Sequence, residues 1–140
     1  MKALKLTGFA LLVLTLGIAC SGNKENEKDT TQTTNVEASD GVHVYYFHNE
    51  RRCPTCKTVE AESQKAVQEL YGDKVGFSVY NIEEPEGEQK AEEIGVSGQS
   101  LLIVGGDEKI NITSEAFMHA KNNPEKLQQI IKEKTDPLIQ

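Results

Sequence analysis

The chain has 140 residues, 37% of them apolar, which supplies one modest hydrophobic core and so a single folded domain. Acidic residues outnumber basic ones 22 to 15, a net charge of −7 that becomes −9 if an N-terminal segment carrying Lys2 and Lys5 is removed. That balance excludes nucleic-acid binding, which needs a basic face.

Lys2 and Lys5 precede an apolar run from Leu6 to Ala19, broken only by Thr7, Gly8, Thr15 and Gly17. A bilayer span needs about 20 apolar residues, and this run is shorter and ends in small ones, so residues 1–19 read as a secretory signal peptide. Its end, Leu16-Gly17-Ile18-Ala19-Cys20, resembles the lipobox of bacterial lipoproteins, with Gly17 where Leu or Val is usual. The resemblance implies that Cys20 becomes the lipidated first residue, carrying palmitate or a similar chain. The competing reading takes Gly17-Ile18-Ala19 as an ordinary small-x-small cleavage site and leaves Cys20 as an odd free thiol, a liability in an exported protein. Either cleavage places the domain outside the cytoplasm, in the cell envelope. Ser21 stands where Asp marks inner-membrane retention in some bacteria, which points to the outer membrane.

Residues 20–40 form the anchor and its tether. From Ser21 to Asp40, Val36 and Ala38 are nearly the only apolar side chains, so the segment cannot offset its ordering entropy and is expected to be disordered. A flexible chain of this length spans roughly 25 Å, enough to hold a domain clear of a membrane.

The folded domain is expected over residues 41–140. Val42-His43-Val44-Tyr45-Tyr46-Phe47 is a β-branched and aromatic run suited to a central strand, and His48 to Arg52 a loop. After Pro54, Val59, Ala66, Val67 and Leu70 share a helical face, and the helix stops near Gly72. Lys74 to Ile82 is a second strand; Glu83-Glu84-Pro85 opens an acidic helix closing at Ile94-Gly95. Leu101-Leu102-Ile103-Val104 is a third strand, and Gly105-Gly106-Asp107-Glu108 turns into Lys109-Ile110-Asn111-Ile112. A helix start at Thr113-Ser114 is interrupted before Pro124, and Leu127, Ile130, Ile131 and Lys134 then cover the sheet. The order is β-α-β-α-β-β-α, an α/β domain with a central mixed sheet.

The first helix begins with Arg51-Arg52-Cys53-Pro54-Thr55-Cys56-Lys57, a Cys-x-x-Cys pair at a strand-to-helix junction. That element order with that pair resembles the thioredoxin fold over residues 42–135. More closely, Val-His-Val-Tyr-Tyr-Phe-His, Arg-Cys-x-Thr-Cys-Lys, Glu-Leu-Tyr-Gly-Asp-Lys-Val, Val-Ser-Gly-Gln-Ser-Leu-Leu-Ile-Val and Ala-Phe-Met are similar to the exported thioredoxin-like proteins of the ArsF family. Those proteins are labelled nitrophenyl compound nitroreductase subunits, and the resemblance implies a place in arsenic resistance. Nothing in the chain suggests a flavin or nicotinamide site, so no organic cofactor is expected.

At helical spacing Cys53 and Cys56 lie about one turn apart, within reach of a Cys53–Cys56 disulfide. The helix N-terminus together with Arg51, Arg52 and Lys57 favours the Cys53 thiolate. Cys53 is thus the expected nucleophile and Cys56, one turn deeper, the resolving thiol, with Pro54 restraining the turn between them. Arg52 stands where thioredoxins carry Trp, and no acidic residue occupies the strand position that supplies their buried carboxylate. Proton transfer therefore falls to His48, to Glu50 or to water. The facing loop, Val96-Ser97-Gly98-Gln99-Ser100-Leu101, has Ser100 at or near the position of the thioredoxin cis-Pro.

The function that follows is a monomeric thiol-disulfide oxidoreductase exchanging electrons with a protein disulfide or dithiol, such as a membrane electron-transfer or efflux protein. The alternative is a binding module that captures arsenite, Cu(I) or another thiophilic ion between the same thiols, which two convergent thiolates and the missing Pro keep open. A structural zinc site would have to recruit His43, His48 or His119, which are not at motif spacing. A purely structural disulfide would close too short a loop to stabilise much.

Overall fold

The structure, a computed structural model, describes residues 41–139. The signal peptide, the lipidation of Cys20 and the tether lie outside the described residues. The domain is organised around β1 (His43–His48), whose first five residues are buried. Only a central strand covered on both faces needs such an unbroken apolar and aromatic run. On one side β1 pairs in parallel with β2 (Gly76–Asn81), and on the other antiparallel with β3 (Ser100–Gly105). β3 continues antiparallel to β4 (Glu108–Asn111), giving the strand order β2-β1-β3-β4.

Side chains alternate across this sheet and so divide the core in two. Val44, Tyr46, Leu101 and Ile103 face a layer built from α1 (Pro54–Tyr71), α3 (Thr113–His119) and α4 (Pro124–Thr135), where Val59, Val67, Ala116, Leu127 and Ile131 are almost fully buried. Tyr45, Phe47 and Leu102 face the other way, onto Ala91 and Ile94 of α2 (Pro85–Ile94). Gly87 lets α2 lie close against the end of β2, because a Cβ there would collide with the Asn81 carbonyl. α2 ends at Gly95, whose left-handed φ of 81° closes the helix with bonds from its N–H to the Ala91 and Glu92 carbonyls. The end of α1 is tied to the end of α4 by Tyr71, whose hydroxyl donates to Asp136 at 2.8 Å. Burial and that carboxylate push the Tyr71 phenol up to about 12.

A parallel β1-α1-β2 unit, a second helix on the opposite face, a β3-β4 hairpin and closing helices over the α1 face make this a thioredoxin fold. The expected order holds with one refinement: the terminal helical region is two helices, because Pro124 takes the first position of α4, where a missing N–H costs nothing. His48, expected in the loop, instead closes β1 opposite Asn81. β2 starts at Gly76, later than expected, since Gly72–Lys74 form a turn of 3-10 helix. Ser100 is the first residue of β3, paired with Phe47.

Candidate active site

The Cys-x-x-Cys segment lies where β1 ends and α1 begins. Cys53 caps the helix with an extended backbone, φ −74° and ψ 159°, and Pro54 fills the first helical position, for which its fixed φ is suited. The cap is a sulfur: Cys53 Sγ accepts the Cys56 N–H at 3.1 Å, as a Ser or Asp oxygen would. The two cysteines are disulfide-bonded with Cα atoms 5.1 Å apart. Cys53 is exposed, whereas Cys56 is only 6% exposed. One sulfur therefore meets incoming molecules, and the other lies beneath it. In the reduced protein the Cys56 amide and the helix N-terminus are placed to stabilise a Cys53 thiolate.

Beneath Cys56 lies a polar group that the sequence did not announce. Tyr46, fully buried on β1, donates its hydroxyl to the Cys56 carbonyl at 3.0 Å. Gln99, from the loop before β3, donates through Nε2 to the same hydroxyl at 2.6 Å, and its Oε1 lies 3.9 Å from Cys56 Sγ. Burial raises the Tyr46 phenol above its ordinary value, although the Gln99 bond and the Arg52 charge pull the other way. Arg52 turns along α1 to pair with Glu60, both side chains about one-fifth exposed. Among the described residues its buried Nε finds no partner. Tyr46 reads in sequence as one more aromatic core residue, and Glu60 as an ordinary polar-face glutamate. Gln99 belongs to the loop over residues 96–101 expected to face the thiols, and that placement is its sequence signal.

The remaining expected site residues occupy the rim. Arg51, Pro54 and Lys57 are exposed, and the Lys57 N–H donates to the Cys53 carbonyl at 3.2 Å. His48 is half-buried; its Nδ1 bonds the neighbouring Asn49 carbonyl at 2.8 Å, and its ring centre lies 6.1 Å from that of Tyr46. Glu50 is exposed, and its N–H binds the Glu83 carboxylate at 3.1 Å, fastening the loop to the segment before α2. The Ser100 hydroxyl is taken by the Gly98 carbonyl at 3.0 Å. His43 starts β1 at the opposite end from the cysteines and bonds Ser78, while His119 ends α3. Among the described residues no three or more His, Cys, Asp or Glu side chains gather into a metal-binding group.

No protein-family model matches the chain, and no curated protein matches it. Among solved structures, one described as the structure of a malarial protein superposes with a TM-score of 0.48 at 19% identity, covering 66% of this chain and 96% of its own. The solution structure of a thioredoxin from Thermus thermophilus gives a TM-score of 0.34 at 20% identity, covering 66% and 75% respectively. These likenesses concern the fold alone. The assignment of the fold rests on the strand order, strand directions and helix layers described above. A close cysteine pair at disulfide distance at the start of its first helix fits a thiol-disulfide redox role.

Proposed function

We propose that the chain is an envelope thiol-disulfide oxidoreductase, lipid-anchored through Cys20 and acting as a monomer on a dithiol or disulfide of a partner protein. In the oxidising direction a partner thiolate attacks Cys53 Sγ, the Cys53–Cys56 bond breaks and its electron pair leaves on Cys56 Sγ, which takes a proton from water. A second partner thiolate then attacks the partner sulfur of the mixed disulfide and releases Cys53 as a thiolate. Both steps run in reverse when electrons flow out of the pair. The observation that carries this reading is the asymmetry of the two sulfurs: Cys53 is an exposed helix cap, and Cys56 is buried one turn behind it. The ArsF-like segments support an exported protein and link that exchange to arsenic resistance, with any nitroreductase chemistry residing in a partner.

The test is the reduction potential of the pair in the full chain carrying Cys20→Ala, titrated by thiol alkylation with a chelator present. A potential between about −120 and −270 mV is expected, the range of exchange catalysts; one below about −300 mV would make the bond structural and overturn the reading. Failure to form an intramolecular disulfide, with stoichiometric arsenite or Cu(I) protecting both thiols from alkylation, would transfer the site to thiophilic-ion capture.

A further inference from the structure

We infer that Gln99, anchored by Tyr46, is a positioning residue that holds Cys56 as the neutral thiol in the reduced protein, so that ionisation is confined to Cys53. The inference deepens the exchange reading and rests on it. Its first support is the orientation of the amide. Tyr46 has one hydroxyl proton, and at 3.0 Å it is donated to the Cys56 carbonyl. The phenol oxygen therefore meets Gln99 as an acceptor, and only the Nε2 end of the amide can satisfy it at 2.6 Å. The raised phenol keeps that proton in place at any physiological pH. Oε1 is consequently fixed toward Cys56 Sγ, 3.9 Å away.

An oxygen lone pair facing a sulfur stabilises S–H and repels S⁻, and Cys56 is too buried for water to compensate the anion. Cys53 faces the opposite arrangement, an N–H aimed at its sulfur. Two thiols one turn apart are thus given opposite hydrogen-bond environments, a donor for the nucleophile and an acceptor for the resolving group. The charged and titratable groups beside Cys56 are Cys53, Lys57 and the Arg52–Glu60 pair on its own segment, with Tyr46 from β1, behind whose ring that of His48 lies 6.1 Å away. α3 and α4, which also pack on α1, contribute Glu115 and His119, and Glu125, Lys126, Lys132, Glu133 and Lys134, and none of these hydrogen-bonds a site residue among those described. In resolution of a mixed disulfide Cys56 releases its S–H proton to solvent, its sulfur attacks Cys53 Sγ, and the partner sulfur leaves with the electron pair of the broken bond. Gln99 sets the pH at which that attack becomes available.

The test is a 13Cβ-cysteine NMR titration of the reduced full chain carrying Cys20→Ala and Cys53→Ser, so that Cys56 titrates alone. Gln99→Ala, which removes the acceptor and admits water, should lower the Cys56 midpoint by about half a unit or more, and Gln99→Glu should raise it by about one unit. Tyr46→Phe, which frees the amide, should lower it by less than Gln99→Ala. The near-isosteric Gln99→Glu keeps the question answerable if Gln99→Ala fails to fold. Midpoints for both Gln99 variants within about 0.2 units of the parent would overturn the inference, as would a rise in Gln99→Ala. The titration uses no partner and no disulfide, so it is separable from the exchange reading: an out-of-range potential sinks that reading, and an unmoved Cys56 midpoint sinks only the role of Gln99.

Discussion

His43 should make the stability of this domain depend on pH over a window set by one proton. The imidazole is 8% exposed, stacks on Tyr45 at 4.4 Å between ring centres and bonds Ser78 Oγ through Nε2 at 2.8 Å. The space over Gly76 is filled by the same ring, which a Cβ at Gly76 would strike. Burial, and then the positive charge of Lys90, hold His43 below its ordinary 6.5. The unfolded chain therefore binds more protons at acidic pH than the folded one, and stability rises with pH across the interval between the two values. The contribution is fully present above about pH 6.5 and is lost as pH falls below it, with a slope of at most about 1.4 kcal/mol per pH unit. By pH 5 the loss is bounded at about 2 kcal/mol, roughly 8–16 °C in Tm for a domain of this size. Carboxylates titrate in the same range, so the assay is a difference: urea unfolding of the parent and His43→Gln at several pH values between 5 and 8. The advantage of the parent over His43→Gln should shrink as pH falls. A difference that stays constant across that range would refute the argument.

Leu127→Ala, at a fully buried position where α4 meets the sheet, should cost about 2–5 kcal/mol by denaturant unfolding. Gly87→Ala ought to help by about 1 kcal/mol on helix propensity, yet it should destabilise, because the Asn81 carbonyl occupies the place of the new methyl. Cys53→Ser should abolish exchange with a model disulfide, whereas Cys56→Ser should accumulate a mixed disulfide visible by mass; equal activity of Cys53→Ser and the parent would end the exchange reading.

The fold was legible because its signals are local. Unbroken β-branched, aromatic and apolar runs marked the strands, Pro54, Pro85 and Pro124 marked helix starts, and Gly95 marked a helix end. His48 escaped because it stands at the strand end, before a polar loop, and only the register with Asn81 decides its place. The cysteine pair was equally local, three residues apart on one helix. The polar layer beneath it was not: Tyr46 and Gln99 are 53 residues apart and meet only because β1 and β3 are neighbours. Arg52 and Glu60 lie two helical turns apart, beyond the spacing at which paired charges are read from sequence.

The placement of Arg52 bears on what would activate Cys53 in the exchange proposed above. From sequence, three cations flank the nucleophile and could share the task of stabilising its thiolate. In the structure the nearest is bonded to Glu60, and the pair together carries no net charge. Arg51 and Lys57 are exposed, so their fields are screened within about 8 Å at physiological salt. What remains is short-ranged: the Cys56 N–H at 3.1 Å, a contact too close for ions to enter, and the partial charge of the first helical turn, at most about half an elementary charge, which salt screens. The alkylation rate of Cys53 in Cys56→Ser protein should therefore change by less than about twofold between 0.05 and 0.5 M salt. The double variant Arg52→Met Glu60→Leu, which removes both charges and leaves neither buried alone, should alter that rate as little. A tenfold fall in either experiment would return the activation of Cys53 to its neighbouring cations.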